Sequence, residues 1–332
     1  MLEHGGKLNE AITRYGHARE AWLDLSTGVN PQSWPVPELP AQIWHRLPEH
    51  SEALQQAACA YYGAQHLLPL AGSQAAIQAL PRLRSRSRVL VAAPVYAEHA
   101  YRWRQAGHDV NEFPYADLEH AVDSCDVMVV CNPNNPSGAR VDSQTLLDWA
   151  ARLASRGGWL IVDEAFIDVE PERSVAAHAH QPGLIVLRSL GKFFGLAGVR
   201  LGFAIAEPVL LQQLEDAVGP WGVSVAAQTI GAAALSDTAW QRSMRAQLQQ
   251  AGMRLHGMLE QTGMRSKGCA LFQWWPEAQA DRFAHHMALR AIWVRKFFAG
   301  GSGIRLGLPY HEADWQRLQR ALQGWRDHCR KA

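Results

Sequence analysis

Only five lysines occur in the 332 residues, and Lys192 stands in "SLGKFFGLAGVR", among glycines and apolar side chains, eight residues ahead of Arg200. A lysine that attacks a carbonyl to form an imine must be neutral part of the time, and burial or a neighbouring cation lowers its pKa enough. The apolar setting of Lys192 and the charge of Arg200 offer both. Other polar residues also follow apolar runs: Asp163 and Glu164 after "LIV", "NPNNPSG" (132–138) after "VMVVC", and Ser189 after "LIVLR". Each has a plainer reading, with Asp163 as a helix cap, the asparagine–proline run as a turn, and Lys192 as a side chain reaching water. Together they describe one chemistry. Pyridoxal phosphate joins a lysine imine to an acid at its pyridine nitrogen. A carboxylate such as Asp163 would keep that nitrogen protonated, so that the ring accepts electrons from a breaking bond. The phosphate calls for a helix N-terminus and hydroxyl donors, and Gly72, Ser73 and Gln74 of "LAGSQAAIQAL" (70–80) offer them.

The elements that must position these residues are legible as periodicities. Residues 88–94, 126–133, 158–166, 183–189 and 200–206 are short, β-branched and apolar, the pattern of buried strands. Between the second and third, residues 143–156 carry a Ser143 cap and apolar positions at Leu146, Leu147, Ala150, Leu153 and Ala154, an amphipathic helix. Strand, helix, strand with near-continuous apolar strands indicates a mostly parallel sheet covered on both faces. In such sheets ligands bind beyond the carboxyl ends of the strands, which is where the polar residues crowd.

From about residue 221 the texture changes. A long helical stretch (238–263) leads to "KGCALFQWW", a further helix, "AIWVRKF" and "SGIRLGLP", three short strands of a smaller α+β domain. The proline-rich "NPQSWPVPELP" (30–40) reads as a linker. The expected divisions are an N-terminal arm and linker at 1–37, a large cofactor-binding domain at 38–220 and a small C-terminal domain at 221–332.

Composition excludes several classes. With 48% apolar and 19% charged residues and a net charge near +1, nothing favours nucleic acid or an acidic membrane as partner. The five cysteines form no C-x-x-C pair, so a reducing compartment fits and no metal site is expected. The N-terminus lacks the apolar core of a signal peptide, and no apolar run approaches the roughly 20 residues that span a bilayer. The expectation is a soluble cytoplasmic protein.

These residues carry a family resemblance along essentially the whole chain. It resembles the fold-type I pyridoxal-phosphate enzymes, in the branch containing histidinol-phosphate aminotransferase. That resemblance implies an α/β large domain with a mostly parallel (mixed) seven-stranded sheet between helices. It also implies a smaller α+β domain, built from the N-terminal arm and the C-terminal part, and a homodimer. The pattern S-x-x-K with arginine eight residues on is matched by Ser189, Lys192 and Arg200. By resemblance Lys192 is the imine lysine, with Ser189 and Arg200 on the cofactor phosphate beside Gly72, Ser73 and Gln74. Asn135, before P-S-G, would hydrogen-bond the ring's phenolic oxygen; Asp163 of "DEAF" is the ring acid and Tyr96 of "APVYAEH" the stacked aromatic. Arg305 of "SGIRLGLP" matches the carboxylate-binding arginine, whose fork suits a planar anion. Two positions depart from the pattern: Phe166 replaces a tyrosine that donates to the phenolic oxygen, and Leu47 one that reaches the partner subunit.

The N-terminus bears on the reaction. "HGGKLNEAITRYG" followed by "WLDLSTGVNPQSWP" resembles the subfamily of L-threonine-O-3-phosphate decarboxylases of cobalamin biosynthesis. By that resemblance His4 helps bind the phosphate of a phosphorylated amino acid and Asn30 lies near the substrate. A terminal residue without fixed structure and a turn residue before Pro31 are the plainer readings of the two. Aminotransferase and decarboxylase share every cofactor contact and differ in which bond at Cα stands perpendicular to the ring. Transamination of a phosphorylated substrate such as histidinol phosphate therefore stays open. A non-catalytic cofactor-binding regulator is a third reading; such proteins usually carry an added DNA-binding domain, for which no chain length is left.

Overall fold

The computed structural model describes residues 5–297 and 302–331, with side chains to 327. In chain order the strands are β1 (Leu23–Asp24), β2 (Leu67–Leu70), β3 (Arg88–Ala93), β4 (Asp109–Pro114), β5 (Val127–Cys131), β6 (Trp159–Asp163) and β7 (Leu184–Ser189). There follow β8 (Gly202–Ile205), β9 (Lys267–Cys269), β10 (Phe272–Pro276), β11 (Ile292–Trp293), β12 (Arg295–Phe297) and β13 (Gly303–Gly307). Two compact units form. One comprises Ser33–Asn135 and Ala139–Arg245, the other Met1–Gln32, Pro136–Gly138 and Ala246–Ala332.

The larger unit holds a seven-stranded sheet in the order β2-β8-β7-β6-β5-β3-β4. From β4 to β7 neighbouring strands are parallel, whereas β8 runs antiparallel to both β7 and β2. All side chains of β5, β7 and β8 are buried, as expected of strands covered on both faces. Strands β2 and β4 escape the apolar-run criterion because both are edges. Pro69 in β2 is tolerated there, since an edge strand need not donate on its outer side, and β4 has no buried residue, most of it being exposed. Parallel direction brings the carboxyl ends of β3, β5, β6 and β7 to one rim. Antiparallel pairing adds the start of β8, Gly202 facing both Ser189 and Leu70.

Helix Ser143–Ala154 lies where the periodicity places it, but Asp142, not Ser143, is its cap. The Asp142 carboxylate accepts from the Gln144 amide (2.9 Å), while the Ser143 hydroxyl donates to the Arg173 carbonyl (2.8 Å).

The smaller unit contains the antiparallel sheet β12-β13-β10-β9 and the parallel pair β1–β11, four strands and a pair where three strands were expected. "AIWVRKF" divides at Val294 into two strands that serve different sheets. The divisions also differ from those expected at 37 and 220. Trp34 is buried in the larger unit, its amide donating to the Phe194 carbonyl (2.8 Å) and its indole to Asp237 (3.1 Å). Helix Val225–Ser236 packs there too: a Cβ on Gly231 would meet Leu201 Cδ2 at 2.3 Å and Leu54 Cδ1 at 3.0 Å. Among the described residues no helix is long and apolar enough to cross a membrane.

Candidate active site

At one end of the rim of the larger unit, the chain leaves β2 and turns through Gly72 into helix Ser73–Ala79. Gly72 adopts φ +75, which favours glycine, and a Cβ there would lie 2.5 Å from Arg200 Nη2. Arg200 itself takes a left-handed φ of 57, rare for a residue with a side chain, and its Nη1 donates to the Ala197 carbonyl (3.1 Å). A Cβ on Gly202 would meet the Ser73 amide nitrogen at 2.4 Å, so the helix start, Arg200 and the end of β7 at Ser189 close on one spot. Exposed N–H groups of a helix start, two serine hydroxyls and a guanidinium make an anion cradle.

In the middle of the rim stands Asp163, buried at the end of β6. Its Oδ1 accepts from the Ala165 amide (3.0 Å), and its Oδ2 lies 2.9 Å from His99 Nε2. Cys131 pairs with it across β5–β6, and donor atoms of His99, Cys131 and Asp163 lie within 4.8 Å of one another. Burial, then the adjacent Asp163 carboxylate, pushes the Cys131 thiol well up. A thiol held protonated is a poor metal ligand, so the trio suits a hydrogen-bonded carboxylate better than a metal centre.

Tyr96 reaches the rim from the end of β3 and donates to Gln74 Oε1 (3.1 Å), while Gln74 donates to Glu98 (2.9 Å), which also takes Arg102 (2.7 Å). Burial, then Glu98 and Asp163, pushes the Tyr96 phenol up to about 12. It stays neutral, its ring at 86° to His99. The loop after β5 is braced by its own asparagines: Asn132 exchanges bonds with the Val141 backbone (2.9 and 3.1 Å), and Asn134 donates to the Pro94 carbonyl (2.9 Å). Asn135 follows, half-buried.

Lys192 lies in the β7–β8 connection. Phe193 and Phe194 beside it are fully buried against Trp240, the latter stacked at 5.6 Å and 12°. Two anchored rings fix a segment that forms no strand or α-helix, leaving Lys192 half-buried with Nζ 5.6 Å from the centroid of Phe166. Phe166 thus faces the lysine with a ring that has no hydroxyl.

Behind the rim is a group of which the sequence reading named only Glu164. Arg188 bonds Glu164 (2.9 Å) and Asp168 and lies 4.4 Å from the centroid of Tyr62, all nearly solvent-free. Glu164 and Arg188 are chain neighbours of Asp163 and Ser189 and point to the opposite face of the sheet. The ion set ties the ends of β6 and β7 from behind. His99 was also missed; its one sequence signal is its place three residues after Tyr96.

The smaller unit carries Arg305 on β13. It is buried, donates from Nη2 to the Ser26 carbonyl (2.8 Å), and lies 5.1 Å from the centroid of Phe272. Burial, then Arg295 opposite it on β12, brings its pKa down to about 10, so the guanidinium stays charged at neutral pH. Asn30 is buried in the same unit and accepts from the Gln32 amide (2.9 Å). His4 lies outside the described residues. Leu47, 63% exposed, stands on the surface of the larger unit.

A family model, aminotransferase class I and II, matches residues 42–314. The chain belongs to that family. It is 51% identical to a threonine-phosphate decarboxylase of Pseudomonas aeruginosa over 98% of this chain and 99% of that one. A second protein of that name, from a Sinorhizobium species, is 40% identical over 97% of each chain. The solved L-threonine-O-3-phosphate decarboxylase of Porphyromonas gingivalis shares the fold, with a TM-score of 0.78 at 19% identity over 91% of this chain and 99% of that one. The rim fits the cofactor that the sequence suggests: an anion cradle, a buried carboxylate, a neutral phenol and one half-buried amine.

Proposed function

We propose that this chain decarboxylates L-threonine O-3-phosphate with pyridoxal phosphate, yielding 1-amino-2-propanol O-2-phosphate for cobalamin biosynthesis. The observation that carries the reading is the 51% identity, essentially end to end, with a protein named for that reaction. The site chemistry supports it.

Gly72, Ser73, Gln74, Ser189 and Arg200 hold the cofactor phosphate. Asp163, held by the Ala165 amide and His99, would face the ring nitrogen and hold a proton there. Tyr96 covers the ring and Asn135 takes its phenolic oxygen. Bound pyridoxal phosphate supplies an electron sink for a bond at the substrate Cα. Lys192 would be the amine that holds the cofactor and, when free, the base available to move a proton at the substrate Cα. Arg305 binds the substrate carboxylate; His4 and Asn30 serve its phosphate. Arg295, paired with Arg305 in the β12–β13 register, would be the second cation for a two-headed anion. We place the enzyme in the cytoplasm as a homodimer, a second copy covering the exposed Trp44, Leu47 and Trp221.

The family name favours a second reading, transamination of a phosphorylated substrate such as histidinol phosphate. Incubation with O-phosphothreonine alone, and separately with histidinol phosphate plus 2-oxoglutarate, separates the two. We expect carbon dioxide from the first and no glutamate from the second. Glutamate without carbon dioxide refutes the decarboxylase while leaving the family and the cradle standing.

A further inference from the structure

Residues 25–27 of the smaller unit form a backbone seam with a different partner on each side. On one side is the N-terminal arm. The Gly6 amide donates to Ser26 Oγ (2.9 Å), Gly6 takes φ +77, and a Cβ on Gly5 would lie 2.6 Å from the Ser26 carbonyl oxygen. Two adjacent glycines are required there, which gives the "HGG" motif a physical reason. On the other side is β13. Arg305 Nη2 donates to the Ser26 carbonyl (2.8 Å), the Gly307 amide to the Leu25 carbonyl (2.8 Å), and a Cβ on Gly307 would lie 2.1 Å from the Thr27 carbonyl oxygen.

Among the described residues, Ser26 is the one bonded to both. It is 1% exposed, and Asp24 Oδ1 accepts from its amide (2.9 Å) and its hydroxyl (2.6 Å). A hydroxyl has one proton. With that proton committed to Asp24, the Ser26 oxygen turns a lone pair to the Gly6 amide, while the carbonyl of the same residue takes the arginine.

We propose that Ser26 is a positioning residue that sets the N-terminal arm and Arg305 in one register, so that the separation of the carboxylate and phosphate contacts is fixed before substrate binds. Its catalytic consequence rests on the two-headed substrate proposed above; the latch itself does not.

The test uses the holoenzyme with Ser26→Ala, which keeps the carbonyl for Arg305 and removes the acceptor for Gly6. Amide exchange in the peptide containing Gly6 should rise roughly three- to tenfold, the worth of one neutral hydrogen bond, with exchange in β10 and β13 unchanged. KM for O-phosphothreonine should rise by a similar roughly three- to tenfold while kcat stays within about twofold, and Ser26→Thr should restore both. If the alanine variant folds poorly, Ser26→Cys keeps the volume with a weaker acceptor and should give the same pattern. Unchanged exchange at the arm overturns the latch, whatever the substrate proves to be. Faster arm exchange with kcat lowered and KM held overturns the positioning role. A wild-type enzyme that releases no carbon dioxide refutes the substrate reading alone, and the exchange result still decides the latch.

Discussion

Replacing Asp163 by asparagine tests the centre of the proposed mechanism. The substitution is isosteric and keeps an oxygen for the Ala165 amide (3.0 Å), so the backbone turn after β6 should survive. What it removes is a charge in a nearly enclosed place, the side chains of Asp163 and His99 being 7% and 2% exposed. At ion-pair contact, with an effective dielectric near 20, such a charge is worth ~4 kcal/mol, or roughly a thousandfold in rate. His99 meets the same carboxylate at Oδ2, 2.9 Å away. A hydrogen bond to a charged group contributes about 1.5–3 kcal/mol, so His99→Phe should cost roughly ten- to hundredfold. Because His99 acts through the carboxylate, the double variant should be little slower than Asp163→Asn alone. Initial rates of carbon dioxide release from O-phosphothreonine, with thermal unfolding as the control, read all three. A fall of less than about tenfold in Asp163→Asn, ~1.4 kcal/mol, removes Asp163 as the ring acid. Full additivity in the double variant removes His99 as its orienting partner.

Two further outcomes follow from the rim. Borohydride should leave the cofactor's mass on the peptide containing Lys192, and Lys192→Ala should retain cofactor through the cradle while losing turnover; mass on another lysine refutes the assignment. Arg188→Met should destabilise the fold by about 3–5 kcal/mol, because two buried carboxylates lose their cation. Burial already holds the Glu164 carboxyl above its ordinary range, with Arg188 pulling the other way. A carboxyl raised further loses stability as pH climbs above the unfolded carboxylate range. The deficit should be smaller at about pH 5 than at about pH 8 in urea titrations, and an equal or larger deficit at the lower pH refutes the account.

What the sequence disclosed and what it hid divide along a physical line. Strands β3 and β5 to β8 were legible because burial on both faces demands unbroken apolar runs. Strands β2 and β4 were not, since an edge tolerates Pro69 on one side of the sheet and a mostly exposed, polar "DVNEFP" on the other. Lys192 and Asp163 could be found because each follows such a run. Beyond its place three residues after Tyr96, nothing local distinguishes His99 in "YAEHAYRW", and nothing at all distinguishes Arg295 and Ser26; the importance of the three lies in partners 64, 10 and 20 residues away. Arg188 was hidden in the opposite way: it sits inside the apolar run of β7, where only three-dimensional pairing with Glu164 and Asp168 explains a charge.

The same line separates the class of chemistry from the choice of reaction. The residues proposed as cradle, ring acid, stacked phenol and lysine all belong to the strand ends of the larger unit, and a decarboxylase and an aminotransferase would need them equally. Choosing between the two means choosing which Cα substituent stands perpendicular to the ring, and that depends on where the substrate's charged ends are held. The residues proposed for those ends, Asn30, Arg305 and the arm that begins with "HGG", belong to the smaller unit. There Arg305 and the arm meet on a single serine. The reaction is therefore most sensitively probed away from the lysine. A change at Ser26 that alters KM, set beside one at Asp163 that alters kcat, would show orientation and electron withdrawal to be separate functions of separate parts of the chain.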